Sequence, residues 1–383
     1  MHSTARRTAL AVLSAGALVL PLALPASAAS GDVSDPLADG LVGPLKLSIA
    51  NSGGAYVAES FGGVLTRINR DGSTSPAASA PEGAEIAGVD ATRMAQAVYL
   101  TSGPRGDGFF AELRRLKANG ETSLLADLQA WEEEENPDGD VHYGFTAGAL
   151  PAACVSQVPE FLGGGQGYDG IVESHPYGVT ATPGGWVVAD AAGNSLIAVS
   201  RTGEVSTLAV LPVHTTKLTA EAITALNASL AEENANNEPG EPDLPPIPTC
   251  VAGYDYAFES VPTDVELGRD GLLYVSTLAG GPEDPSLGAR SKVFTVDRKT
   301  GAFEEYATGL FAATDLAVSP VGTVYVSELF GGQISKIVDG KSVQVAEVPL
   351  PAAVEWHKGM LYAAIDVFPG EQGPAGKVVT IQP

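Results

Sequence analysis

Cysteine and positive charge are both scarce in this sequence. Two cysteines, Cys154 and Cys250, among 383 residues exclude a disulfide-dense small scaffold and any cysteine-rich zinc module. Lys and Arg total 21 against 46 Asp and Glu, a formal charge of −25. Such a surface repels phosphate backbones and anionic headgroups, so no nucleic-acid partner is expected. After the N-terminal leader no run of about eighteen apolar residues occurs, so no membrane insertion is expected. Catalytic signatures are also missing: there is no G-x-S-x-G elbow and no H-E-x-x-H helix. His142, His175, His214 and His357 lie in separate segments. "GQGYDG" (165 to 170) fits G-x-G-x-x-G in form, but no predicted strand precedes it and no helix follows, so it reads as a loop.

The N-terminus has Arg6 and Arg7, an apolar run from Ala9 to Leu24, and then Ala26-Ser27-Ala28. That order predicts a signal peptide over 1–28 with an A-x-A cleavage site, and a secreted, extracellular, soluble protein. Cysteine is absent at the cleavage site, which argues against a lipid anchor. Residues 29–383 are read as one domain, and a monomer is expected.

What is abundant is repetition. "YVAESFGGVLTRI" (56 to 68) and "YVSELFGGQISKI" (325 to 337) match at seven of thirteen positions. Related phrases begin at Tyr56, Tyr99, Val187, Tyr274, Tyr325 and Tyr362. Several are flanked by alternating apolar strands and Asp-Gly or Gly-Gly turns, as in "PTDVELGRDGLLYVS" (262 to 276), the mark of short antiparallel strands. A four-stranded meander of about 40 to 50 residues has the size of a propeller blade. The expected fold is all-β: a six-bladed β-propeller of four-stranded antiparallel blades. Closure should pair the C-terminal strand "GKVVTIQP" with roughly residues 33 to 43, which removes exposed edges.

Two long gaps between copies hold insertions. The first, 127–172, is acidic and glycine-rich; the second, 211–258, contains "TAEAITALNASLAEENANN", a helix with Thr219 as N-cap, then a Pro-rich connector. Both should cap one face. One cysteine falls in each, and in an exported protein such a pair favours a disulfide, Cys154 to Cys250, contributing about 4 to 5 kcal/mol in the chain-entropy view.

"ENPDGD" (135 to 140), "VESHPYGVTATPGGWVVADAAGNSLIAVSRTGEVSTLAVLP" (172 to 212) and "VPTDVELGRDGLLYVSTLAGGPEDPSLGARSKVFTVD" (261 to 297) resemble the corresponding segments of the ScyD/ScyE family of exported bacterial proteins. The likeness runs with gaps from about residue 35 to the end. It implies a six-bladed propeller akin to NHL-type and TolB-type propellers, in a family linked by name to scytonemin pigment gene clusters and without an established reaction. The sequence departs from the family at "GPLKL" (43 to 47) and "GGPEDP" (280 to 285).

Candidate chemistry gathers at strand ends. Glu59, Asp190, Glu328 and Asp366 could hold calcium at the central mouth, since that cation prefers several oxygen ligands; Asp264, Asp315, His175 and Glu355 could approach the same opening. The plainer reading is that strand-end carboxylates hydrogen-bond turn amides. Asn136, Asp138 and Asp140 alternate like calcium-loop ligands, but Val141 replaces the required glycine and no Glu closes the loop, so a solvated acidic turn is expected. Trp131, His175, Tyr177, Tyr254 and Tyr256 are the candidate ligand-binding residues, although most aromatic residues of the insertions should pack the cap. The preferred function is a non-catalytic module recognising a small molecule, glycan or protein at the capped face. The alternative is a calcium-dependent lactonase or esterase; no cofactor beyond that calcium is expected.

Overall fold

The computed structural model describes residues 31–50, 53–91, 97–237, 241–370 and 372–383; the expected leader, 1–28, lies outside the described residues. Each repeated phrase forms the second strand of a four-stranded antiparallel sheet, and six such sheets make a β-propeller. Blade I comprises Pro44–Ile49, Ala55–Glu59, Val64–Ile68 and Thr74–Ser79. Blade II comprises Glu85–Asp90, Ala97–Arg105, Gly108–Leu116 and Thr122–Asp127; blade III comprises Pro176–Ala181, Gly185–Asp190, Ser195–Ser200 and Val205–Val210. Blade IV comprises Ser260–Leu267, Leu272–Ala279, Ser291–Asp297 and Phe303–Leu310; blade V comprises Ala313–Val318, Val324–Glu328, Gln333–Val338 and Lys341–Glu347. Blade VI is built from both ends of the chain: Ala353–His357, Met360–Ile365 and Gly376–Ile381 are completed by Ala38–Leu41, which pairs Ala38 with Val378.

Alternation along these strands gives each blade two apolar faces, and each must be covered by a neighbour. One buried cluster therefore forms at every blade boundary. Leu45, Leu47 and Val57 of blade I meet Ala353, Ala364 and Val378 of blade VI. Val98, Leu100 and Leu113 meet Val179, Val188 and Ile197 between blades II and III. Val187 and Leu196 meet Val265, Val275 and Phe294 between blades III and IV. The other three boundaries follow the same rule.

The phrase shared by blades I and V has a local physical cause. Glu59 accepts from the Val42 amide at 2.6 Å and from the Thr66 hydroxyl; Glu328 accepts from the Phe311 amide at 2.8 Å and from Ser335. In both blades the strand-end carboxylate thus ties the incoming connection to the third strand. The second glycine of each Phe-Gly-Gly is left-handed, with φ of 60° at Gly63 and 63° at Gly332. A Cβ at Gly63 would also lie 2.7 Å from the Ala84 carbonyl oxygen, so that turn has space only for glycine.

The two insertions leave from the same face, where fourth strands hand over to first strands. The first carries helix Leu128–Glu135, capped by Asp127 through the Ala130 amide at 3.0 Å, and a two-residue ribbon pairing His142–Tyr143 with Tyr168–Asp169. The second pairs His214–Lys217 with Asp255–Phe258 around helix Ala220–Asn236, whose N-cap Thr219 accepts from the Ala222 amide at 3.0 Å. Asn227 and Asn234 pin the extended Pro-rich connector to the helix through the backbone of Ile247 and Leu244. The insertions are joined by Cys154–Cys250, with Cα atoms 5.8 Å apart, and by a backbone bridge between Gly144 and Ala257.

Candidate functional site: an acidic channel beneath an aromatic rim

First strands line the central channel of a propeller, and their register decides which side chains reach it. Pro44-Leu45-Lys46, Pro262-Thr263-Asp264 and Ala313-Thr314-Asp315 occupy matching positions opposite their second strands. Lys46, Asp264 and Asp315 consequently meet inside the channel. Lys46 is 3% exposed; its Nζ lies 3.3 Å from Asp264, 3.6 Å from Asp315 and 5.2 Å from the Tyr177 ring centre, and donates to the Thr314 carbonyl at 2.8 Å. Glu266, Glu355 and Asp90 join the same electrostatic cluster, giving five carboxylates around one ammonium. Burial, followed by repulsion from neighbouring carboxylates, pushes Glu266, Asp315 and Glu355 well above the ordinary carboxylate range, and Lys46 offsets only part of this.

Above this cluster, Glu85 of blade II and His175 of blade III close across the mouth. The His175 Nε2 hydrogen-bonds Glu85, and the Ser102 hydroxyl donates to the same carboxylate at 3.1 Å. Burial opposes charge on both partners, yet each stabilises the ionised form of the other: Glu85 is held below its ordinary value and His175 above. The His175 ring meets Tyr177 edge-on at 5.8 Å. Glu85 and Ser102 also form a wall of an open depression of about 680 Å³ between blades I and II, whose apolar side is Phe61, Pro104 and Phe109. Phe61 and Phe109 are 47% and 48% exposed, high for phenylalanine. Phe61, Phe368 and Phe330 form a row across blades I, VI and V, with ring centres 6.1 and 6.4 Å apart.

The expected metal quartet does not converge. Glu59 and Glu328 are spent within their own blades as described, and Asp366 pairs with Lys377 at 2.7 Å. Asp190 is fully buried and accepts from the amides of His175 at 2.7 Å and Gly193 at 3.1 Å and from the Ser174 hydroxyl at 2.5 Å. These carboxylates end second strands, one layer outside the channel, and turn toward the loops they stabilise. Among the described residues no three acidic, histidine or cysteine side chains gather in a metal-ligand arrangement.

The aromatic candidates divide. His175 and Tyr177 stand at the mouth, whereas Trp131 packs at the II/III boundary and donates from Nε1 to Thr207 at 3.2 Å. Tyr254 and Tyr256 belong to the cap core; Tyr256 contacts Phe145 at 5.0 Å and Phe258 at 4.5 Å. Sequence reasoning passed over Lys46, Glu85, Asp90 and Glu266, although aligning the first strands would have placed Lys46 beside Asp264 and Asp315. It also read Phe61 and Phe330 only as part of a repeated phrase, not as exposed rings.

These features define the class: a six-bladed β-propeller with an acidic channel opening beside an aromatic depression on its capped face. Compared with family models and with curated proteins, the sequence gives no match. Solved structures do share the fold. A protein assigned as an oxidoreductase (glucose dehydrogenase) from Thermus thermophilus superposes with a TM-score of 0.52 at 14% identity, covering 91% of this chain and 100% of that one. A gluconolactonase from Xanthomonas campestris gives 0.50 at 11% identity, with 90% and 88% covered. Virginiamycin B lyase from Staphylococcus aureus gives 0.45 at 13% identity, with 84% and 77% covered. At these identities the likeness is one of fold, and function rests on the site.

Proposed function

We propose that the protein is an exported, non-catalytic binding module whose capped face takes a small amphipathic organic cation. The observation that carries this reading is the shared wall at Glu85, where exposed Phe61 and Phe109 meet the mouth of a channel holding five carboxylates and one lysine. An apolar ring surface would lie on the phenylalanines while an amine faces the carboxylates, a division of labour usual in small-molecule sites. The low-dielectric walls and the net charge of −25 would draw a cation toward that opening. The resemblance to the ScyD/ScyE family supports export.

Thermal unfolding of the mature protein against matched aromatic amines and aromatic carboxylic acids tests the idea. Amines should raise the midpoint and acids should not, and Phe61→Ala with Glu85→Gln should abolish the response. Equal stabilisation by acids overturns the charge argument. Calcium-dependent hydrolysis of a lactone or ester panel overturns the non-catalytic reading.

A further inference from the structure

A second cluster lies apart from the mouth, where the first insertion meets blade III. Helix Leu128–Glu135 directs Glu132 inward; the residue is 0% exposed, no side chain donates to its carboxylate, and the Glu173 backbone amide is the one donor that favours its ionised form. The charged groups facing it are Asp190, Asp138 and Glu173, all acidic. Asp138, 1% exposed, spends Oδ2 on the Tyr143 hydroxyl at 2.9 Å and the Asn194 amide at 2.8 Å, leaving Oδ1 without a partner. Asn194, also 1% exposed, donates from Nδ2 to Asp138 and to the Ala192 carbonyl at 3.2 Å, which fixes the amide and leaves its Oδ1 unpartnered. Asn136 repeats this pattern, donating to the Gly170 carbonyl at 3.1 Å while its Oδ1 stays unpartnered. The expected solvated turn is therefore corrected for Asn136 and Asp138; only Asp140 is exposed.

Space is kept beside these oxygens. A Cβ on Gly193 would lie 3.1 Å from Glu132 Oε2 and 3.6 Å from Asp190 Oδ1, and one on Gly170 would collide with Asp138 Oδ1. Buried acceptors without donors are rare in folded proteins, and a set of them with no ammonium or guanidinium of the described residues facing Glu132 calls for a positive charge. Oxygen donors from carboxylates and side-chain amides suit a hard cation. We propose that one divalent cation, calcium by preference, binds between the first insertion and blade III on Glu132, Asp138 and Asn194, with Asn136 completing the oxygen set. It would fasten the insertion to the loop that starts at Asp190, whose carboxylate holds the His175 backbone at the mouth.

The test uses the mature protein: elemental analysis as purified, then chelation, dialysis and titration with calcium chloride, followed by calorimetry and thermal unfolding. One calcium per chain and a raised midpoint are expected. Both should be lost in Glu132→Gln and Asp138→Asn, which replace charge with near-isosteric amides, and kept in Asp315→Asn of the channel. A wild-type protein that retains no ion and shows no calcium-dependent shift overturns the site. So does an effect that survives Glu132→Gln, one lost in Asp315→Asn, or an equal shift with potassium chloride. Elemental analysis of the wild type decides the matter even if a variant fails to fold, and none of these outcomes depends on amine binding at the mouth.

Discussion

Glu328 holds a blade together from a single side chain, accepting from the Phe311 amide, Gln333, Ser335 and Ser342. It is 3% exposed, so removing its carboxylate takes the acceptor from four donors at once, of which the Ser335 hydroxyl is fully buried. Glu328→Ala is expected to destabilise the protein by about 3 kcal/mol, at the upper end for one truncated buried acceptor because several donors lose it together. Chemical denaturation would check this, and a loss below about 0.5 kcal/mol would contradict the bonding described. The sequence made the strand-end position of Glu59, Asp190 and Glu328 legible, but not the direction of their side chains. That direction depends on which strand of the blade borders the channel, and only the first strands do. Asp264, Asp315 and Glu355 sit on first strands, which is why those expectations came together in space while the quartet did not.

At the scale of elements, six strands were readable because each repeats an alternating apolar pattern, and the helix after Thr219 because its cap and composition are local signals. The short ribbons His142–Tyr143 with Tyr168–Asp169 and His214–Lys217 with Asp255–Phe258 were not, since two to four residues carry no period. They depend on tertiary contacts, above all the cap core of Phe145, Leu218, Ile223, Val251 and Tyr256. The disulfide closes a loop of sequence separation 96 across that core. Replacing both cysteines with serine should cost about 4 kcal/mol. Hydrogen exchange should then rise first in 214–237 and 249–258 while strands of blades V and VI stay protected. Uniform loss of protection through all six blades would show instead that the cap and the ring unfold as one unit.

Across the whole molecule, several buried acids set the dependence of stability on pH. Burial raises Glu259 to about 6 and Glu283 to about 7, against an ordinary value of 4.5; burial, and then repulsion from neighbouring carboxylates, also raises Glu266, Asp315 and Glu355 well above the ordinary carboxylate range. Between the unfolded and folded values the folded chain binds more protons, so stability falls as pH rises. His175 acts in the same sense, because its value is raised above 6.5 and its contribution is lost as pH climbs through that raised value. His214, lowered to about 4 chiefly by burial, works the other way only between pH 4 and 6.5. From pH 6.5 to 8 the shifts that still titrate therefore point downward, and stability should drop by at least about 1 kcal/mol. Thermal unfolding at constant ionic strength would reveal it; a flat or rising profile would mean that the channel acids are already neutralised by a bound cation.

The pairing of Ala38–Leu41 with Gly376–Ile381 also has a consequence for how the protein is made. Synthesis is vectorial, so the early segment must wait unpaired until the third strand of blade VI has been delivered. Blades II to V can assemble as they emerge, but the circle stays open, with two raw edges, until the final strand arrives. A nascent chain in that state is most exposed to aggregation just before that strand pairs, the interval in which a holding chaperone would matter most.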